Sequence, residues 1–304
     1  MTPSPVHPVL ISLLLLAAGC VQDAAPDGIR LERWDESFLP GEEEKGNKRS
    51  TVAIFPGWPQ EGVFGLRAPE TIKSQFGLLF IDHEPKAPRP LMKPVGETAW
   101  SEGPDGALSY TVELDGGIRF GMDFTVTGDA RDEVEIHGWL TNGTERDLSR
   151  LDTQFCLVNR GVEAFDERRG EQSFILIDGE LVSLASTSPF PEDAPREYVL
   201  AYTAEDPGKP PAVPNSWAVP APASAPLVVT VSAGGTRWIG LAFDRVKKLM
   251  SNCLIPCIHA DPAFPDAPAG ATVHLEGRLY AGEGPLDELL SRFYEDFPRW
   301  KPKD

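Results

Sequence analysis

An imidazole and a carboxylate two positions apart, His259 and Asp261, form the sharpest chemical pairing in the chain. In extended backbone, side chains at i and i+2 point the same way, so both can face one pocket. Such a pair can move a proton or supply two ligands to a metal. The same residues can also be structural, with Asp261 capping backbone amides and His259 satisfying a carbonyl in a proline-bounded loop. A second group, Glu135, His137 and Trp139, shares the polar side of an alternating run. Aromatic-plus-polar faces stack sugar rings and bond their hydroxyls, although a second layer can equally well cover such a face. Gln154 offers a donor and an acceptor. Trp58, in the turn Pro56-Gly57-Trp58-Pro59, and Arg67, in Arg67-Ala68-Pro69-Glu70, are candidates for a binding rim. No phosphate-binding glycine loop, nucleophile elbow or dinucleotide fingerprint is found, which counts against kinases, common esterases and dehydrogenases. No cofactor is expected.

The elements that must carry these residues are strands. From Leu108 to Asn159 the chain alternates with period 2: Tyr110, Val112 and Leu114; then Ile118, Phe120, Met122, Phe124 and Val126; then Val134, Ile136 and Leu140; then Leu151, Thr153, Phe155 and Leu157. Asp115-Gly116-Gly117, Gly128-Asp129 and Asn142-Gly143 separate the runs, so the segment is expected to be an antiparallel meander with one face on a core. Thr51 to Phe55, Phe76 to Asp82, Phe174 to Leu184, Tyr198 to Thr203, Leu227 to Ser232, Arg237 to Phe243 and Ala271 to Ala281 are further strand-like runs. Ten prolines between Ser188 and Leu227 make 188–227 a long surface loop or the wall of a cleft. After Pro285, Leu286, Leu289, Leu290, Phe293, Tyr294 and Phe297 recur at helical spacing until Pro298 stops them. The expected fold is all-β, a large antiparallel two-sheet sandwich with one C-terminal helix. Residues 51–304 are expected to form one domain.

The chain has 304 residues and a formal charge of −18, which argues against nucleic acid and anionic membrane surfaces as partners. Its start points to export. An apolar run from Val9 to Ala18, too short to span a bilayer, ends in Ala17-Ala18-Gly19-Cys20. The run resembles the signal of bacterial lipoproteins: residues 1–19 would be removed, Cys20 lipidated as the mature N-terminus, and 20–50 would form a tether. The cell envelope is the expected location, with membrane contact through the lipid alone. In an oxidising compartment Cys253 and Cys257 are expected to pair across a tight loop, leaving Cys156 buried in its strand. A single C-x3-C is weak support for a metal, so none is expected.

Three stretches resemble the galactose mutarotase-like sandwich, the fold of aldose 1-epimerases. Glu133 to Asn142, EVEIHGWLTN, resembles a strand of that fold that ends in a Thr-Asn turn. Leu151 to Asn159, LDTQFCLVN, occupies the place of the strand that presents the general-acid histidine. His259 to Tyr280 resembles the stretch that runs from a catalytic Glu-Pro to the closing strand. The resemblance implies a sandwich that handles sugars, with Asp261-Pro262 in the place of the base. The acid is missing: Gln154 bonds but cannot supply a proton at neutral pH. The expectation is therefore carbohydrate, or another small polar ligand, bound without mutarotation. The alternatives are an epimerase or lyase using Asp261 or His259 as base, and a structural surface lipoprotein.

Overall fold

The computed structural model describes residues 28–34, 49–59, 62–82, 89–204, 208 and 212–302. The apolar leader, Cys20 and most of the 20–50 segment lie outside the described residues. In chain order the strands are β1 (Arg30–Arg33), β2 (Thr51–Phe55), β3 (Phe64–Ser74), β4 (Gly77–Ile81), β5 (Ala99–Glu102), β6 (Leu108–Glu113), β7 (Ile118–Thr127), β8 (Glu133–Asn142) and β9 (Leu151–Val158). They continue as β10 (Ser173–Ile177), β11 (Glu180–Ser183), β12 (Tyr198–Tyr202), β13 (Trp217–Ala218), β14 (Leu227–Val231), β15 (Arg237–Phe243), β16 (Val246–Asn252), β17 (Cys257–Phe264) and β18 (Thr272–Glu283). A single α-helix among the described residues, α1 (Leu286–Asp296), follows.

These strands form two nine-stranded sheets, and the fold is the all-β two-sheet sandwich with a C-terminal helix. The first sheet runs β1-β2-β3-β9-β17-β16-β12-β13, with β4 also on β3; the second runs β11-β10-β14-β15-β18-β8-β7-β6-β5. All pairings are antiparallel except β12 with β13. The meander forms as its pattern demands. Ile118, Phe120, Met122, Phe124 and Val126 of β7 enter the core while Arg119, Asp123 and Thr125 leave it. Gly116 and Gly117 hold φ near +90° in the β6–β7 turn, a region that penalises any Cβ.

Inward residues of both sheets merge into one apolar cluster, including Phe64, Leu66, Phe155 and Ile258 from the first sheet and Phe120, Ile136, Leu241 and Leu279 from the second. A smaller cluster lies on the far side of the second sheet. There Leu289, Phe293 and Phe297 pack on Trp238, Tyr280 and Val229, which is the packing face expected of the helical stripe.

Two expectations need correction. Part of the presumed tether is a strand: β1 pairs with β2 and buries Ile29 and Leu31, a stretch too short for its alternation to stand out. The loop expected at His259 to Pro262 is the middle of β17, because Pro262 falls where the ladder with β9 is interrupted. The register His259↔Cys156 and Ala263↔Asp152 keeps equal spacing on both strands across that gap. The proline-rich segment contributes β12 and β13, and its Val213 forms part of a cleft wall.

Candidate functional site

The first sheet turns its even-numbered β9 residues and odd-numbered β17 residues away from the core. Thr153, Phe155 and Leu157 face inward, whereas Gln154, Cys156 and Val158 line an outward cleft of about 400 Å³. On β17, Ile258 and Ala260 enter the core, and Cys257 and His259 line the same cleft. Between Arg67 and Thr71, β3 advances four residues while β9 advances two, from Cys156 to Gln154. That bulge leaves Arg67 and Glu70 together at the cleft, joined at 2.9 Å with both side chains largely buried. Tyr198 and Leu200 of β12 and Met250 and Asn252 of β16 complete the wall.

Below His259 lies a buried chain of charge. Its Nδ1 is 3.3 Å from Asp261 Oδ1, an ion pair when the imidazole is protonated. Asp261 Oδ2 is 2.9 Å from Lys248 Nζ, its direct cross-strand neighbour. Asp261 Oδ1 also accepts from the Phe155 amide at 3.2 Å, so the carboxylate fills part of the ladder gap beside Pro262. Burial opposes ionisation of Asp261, but Lys248 and His259 outweigh it and lower its pKa. Burial likewise opposes the charge on His259, and the Cys156 sulfur and Asp261 carboxylate reverse this, raising its pKa. For Lys248, burial is again the largest influence and is overcome by Asp261, which raises the pKa. Burial drives the Cys156 thiol well above its ordinary range. Beside Asp261, Thr71 Oγ1 donates to Gln154 Oε1 at 2.9 Å, and Thr153 Oγ1 donates to the Pro262 carbonyl at 2.7 Å. Gln154 also lines an adjoining hollow of about 260 Å³ with Lys248 and Asp261.

Of the residues singled out in the sequence, Arg67, Gln154, His259 and Asp261 therefore meet. The others do not. His137 and Trp139 stand on β8 in the second sheet, on its outer face, and cannot wall the Gln154 cleft. There His137 Nδ1 is 3.4 Å from Asp123 Oδ2, its Nε2 is 3.2 Å from His274 Nδ1, and the two imidazoles stack. Trp58 is buried in the core and borders a different hollow with Val162, Phe165 and Arg237.

The expected Cys253–Cys257 disulfide is corrected too: Cys156, Cys253 and Cys257 are all free and buried. Cys253 belongs to the inter-sheet core, whereas Cys257 packs with Cys156 and Val158 on the outer side. Cys253, in the turn after β16, packs inward while Cys257 packs outward, so the two cannot bridge without moving backbone. Reasoning from sequence missed Lys248, Tyr198 and Asn252. The one available signal was Lys248, Met250 and Asn252 alternating on one side of β16, the strand that returns into β17.

No protein-family model matches the chain, and no curated protein matches it. Among solved structures, a candidate aldose 1-epimerase from Escherichia coli K12 is similar at 11% identity and a TM-score of 0.42, over 78% of this chain and 97% of that one. A galactose mutarotase-like protein from Lactobacillus casei is similar at 10% identity and a TM-score of 0.44, over 78% and 95%. At the level of fold, the chain loosely resembles the galactose mutarotase-like proteins. Similarity of that size transfers no residue's role and no activity to this chain.

Proposed function

We propose that the protein is exported, anchored through lipid on Cys20, and binds a carbohydrate in the cleft between Arg67, Gln154 and His259 without mutarotating it. The observation that carries the binding reading is the cleft's chemistry. Its donors and acceptors converge on about 400 Å³, room for a small sugar. On its wall Arg67 is already paired with Glu70, and in the adjoining hollow Lys248 is paired with Asp261. Pre-matched charges favour an uncharged, hydroxyl-rich ligand over an anion, because an anion would have to displace one partner of a buried pair.

Ring opening needs an acid and a base. Gln154 cannot act as the acid, and Asp261, its pKa lowered by Lys248 and His259 against the pull of burial, is a weak base. These two residues support binding without mutarotation.

Calorimetric titration with neutral hexoses and hexuronates tests the proposal. The expected result is binding of a neutral sugar that weakens about tenfold in Gln154→Ala, the loss of one hydrogen-bonding partner. No binding at millimolar sugar, or affinity unchanged in both Gln154→Ala and Arg67→Ala, overturns it. For the anchor, Cys20→Ser is expected to release the protein into the soluble fraction. An unmodified N-terminus elsewhere in membrane-extracted protein overturns that half. Among the described residues no helix is long and apolar enough to cross a membrane.

A further inference from the structure

Cys156, Cys257 and His259 converge. Their ligand-capable atoms all lie within 4.8 Å of one another, all three residues are buried, and all three border the same cleft. The sheet itself builds this. Cys156 stands directly across from His259 in the β9–β17 register, and Cys257, two residues before His259 on the same face, is diagonal to Cys156. His259 Nε2 is 3.4 Å from Cys257 Sγ. A tetrahedral zinc ion, with Zn–S about 2.3 Å and Zn–N about 2.0 Å, holds its sulfur and nitrogen ligands about 3.5 Å apart.

We propose that Cys156, Cys257 and His259 bind one thiophilic divalent cation, of the zinc class, with its fourth coordination position open to the cleft. Two thiolates and an imidazole select zinc over magnesium or calcium, which demand oxygen ligands. Two thiolates also cancel the charge of a divalent ion, so the loaded site buries no net charge of its own. Asp261, 3.3 Å from His259 Nδ1, stands where a carboxylate orients a ligating imidazole from behind, leaving Nε2 for the metal. Three protein ligands with an accessible fourth position are the arrangement of a site that receives water or a ligand hydroxyl, rather than of a closed structural site. The proposal stands independently of sugar binding: an ion can seat here whether or not a carbohydrate enters.

The test is anaerobic titration of the reduced, folded chain with Co²⁺, followed by displacement with Zn²⁺. Expected is one cobalt per chain, with the intense visible bands of tetrahedral cobalt and thiolate-to-cobalt charge transfer, and a Kd of about 1 µM or tighter. Cys257→Ser and His259→Ala should each abolish the charge-transfer spectrum or weaken binding at least a hundredfold. Cys257→Ala replaces the serine variant if near-ultraviolet circular dichroism shows the latter unfolded. Asp261→Asn should retain the spectrum and weaken binding about tenfold, and Cys253→Ser, on the other face, should change nothing. Absence of a 1:1 cobalt spectrum, a spectrum that survives loss of Cys257, or a Cys156–Cys257 disulfide in the protein as isolated overturns the site.

Discussion

On the outer face of the first sheet His259 lies 3.3 Å from Asp261, and both side chains are 4% exposed. On the outer face of the second sheet His137 lies 3.4 Å from Asp123, with side chains 45% and 51% exposed. The separations are nearly equal, so Coulomb's law at fixed dielectric would rank the pairs alike. Water makes the difference: at the exposed pair it screens the attraction, and at the buried pair it is excluded, so each charge depends on its partners. What sits above each face decides this. Strands β12 and β16 and the Arg67–Glu70 bulge wall in the first pair, whereas α1 covers β14, β15 and β18 and leaves His137 beside it half-exposed.

The largest effect should come from breaking the buried pair. Asp261→Ala strands Lys248, His259 and the Phe155 amide, and should destabilise the fold by about 3 kcal/mol. Asp123→Ala should stay within about 0.5 kcal/mol in the same urea-unfolding measurement. Equal losses in the two variants would end the contrast.

A third carboxylate sharpens the rule. Asp82 is as buried as Asp261, but its nearest partners are neutral: it accepts from the Ser50 amide at 2.8 Å and the Thr51 hydroxyl at 2.7 Å. Burial therefore dominates and raises its pKa to about 6, the opposite direction from Asp261. A raised folded-state pKa stabilises below the unfolded value near 4, and that contribution is lost as pH climbs through about 6. The swing should be about 3 kcal/mol, and Asp82→Asn should remove it from a plot of Tm against pH. Asp261 behaves in reverse, its contribution present above pH 4 and lost only on acidification below that. A wild-type profile with no Asp82-dependent slope between pH 4 and 7 would contradict the assignment.

The smallest effects concern the second sheet. His137→Ala and Trp139→Ala should leave the affinity for any cleft-bound sugar within about twofold, because neither reaches the cleft. A larger loss would return the outer face of β8 to the binding surface. In the same preparation, a non-reduced peptide map should show Cys253 unlinked to Cys257.

The strands of the meander could be read from residue types nearly to their ends. Their alternation is a property of neighbours two positions apart, and aspartate, asparagine and glycine marked each turn. Helix α1 declared itself in the same way through the spacing of Leu289, Phe293 and Phe297. β17 did not, since Pro262 and Pro265 signal an interruption and nothing local shows that a carboxylate will take over the amide opposite. The β1 strand, four residues long, offered too few positions for a period to register.

Residue types put His137 on an alternating strand and His259 in a proline-bounded loop, and nothing local showed that His259 would be the buried one. Composition and spacing were enough for the two-sheet architecture, the packing face of the helix and the inward and outward sides of most strands, because those depend on short-range periodicity. Which outward side chains share a cleft depends on pairings such as Phe155 with Asp261, 106 positions apart, and on the face each cysteine takes. Those contacts are set when the sheets close. No local pattern records them, because burial and its control over charge belong to the assembled layers.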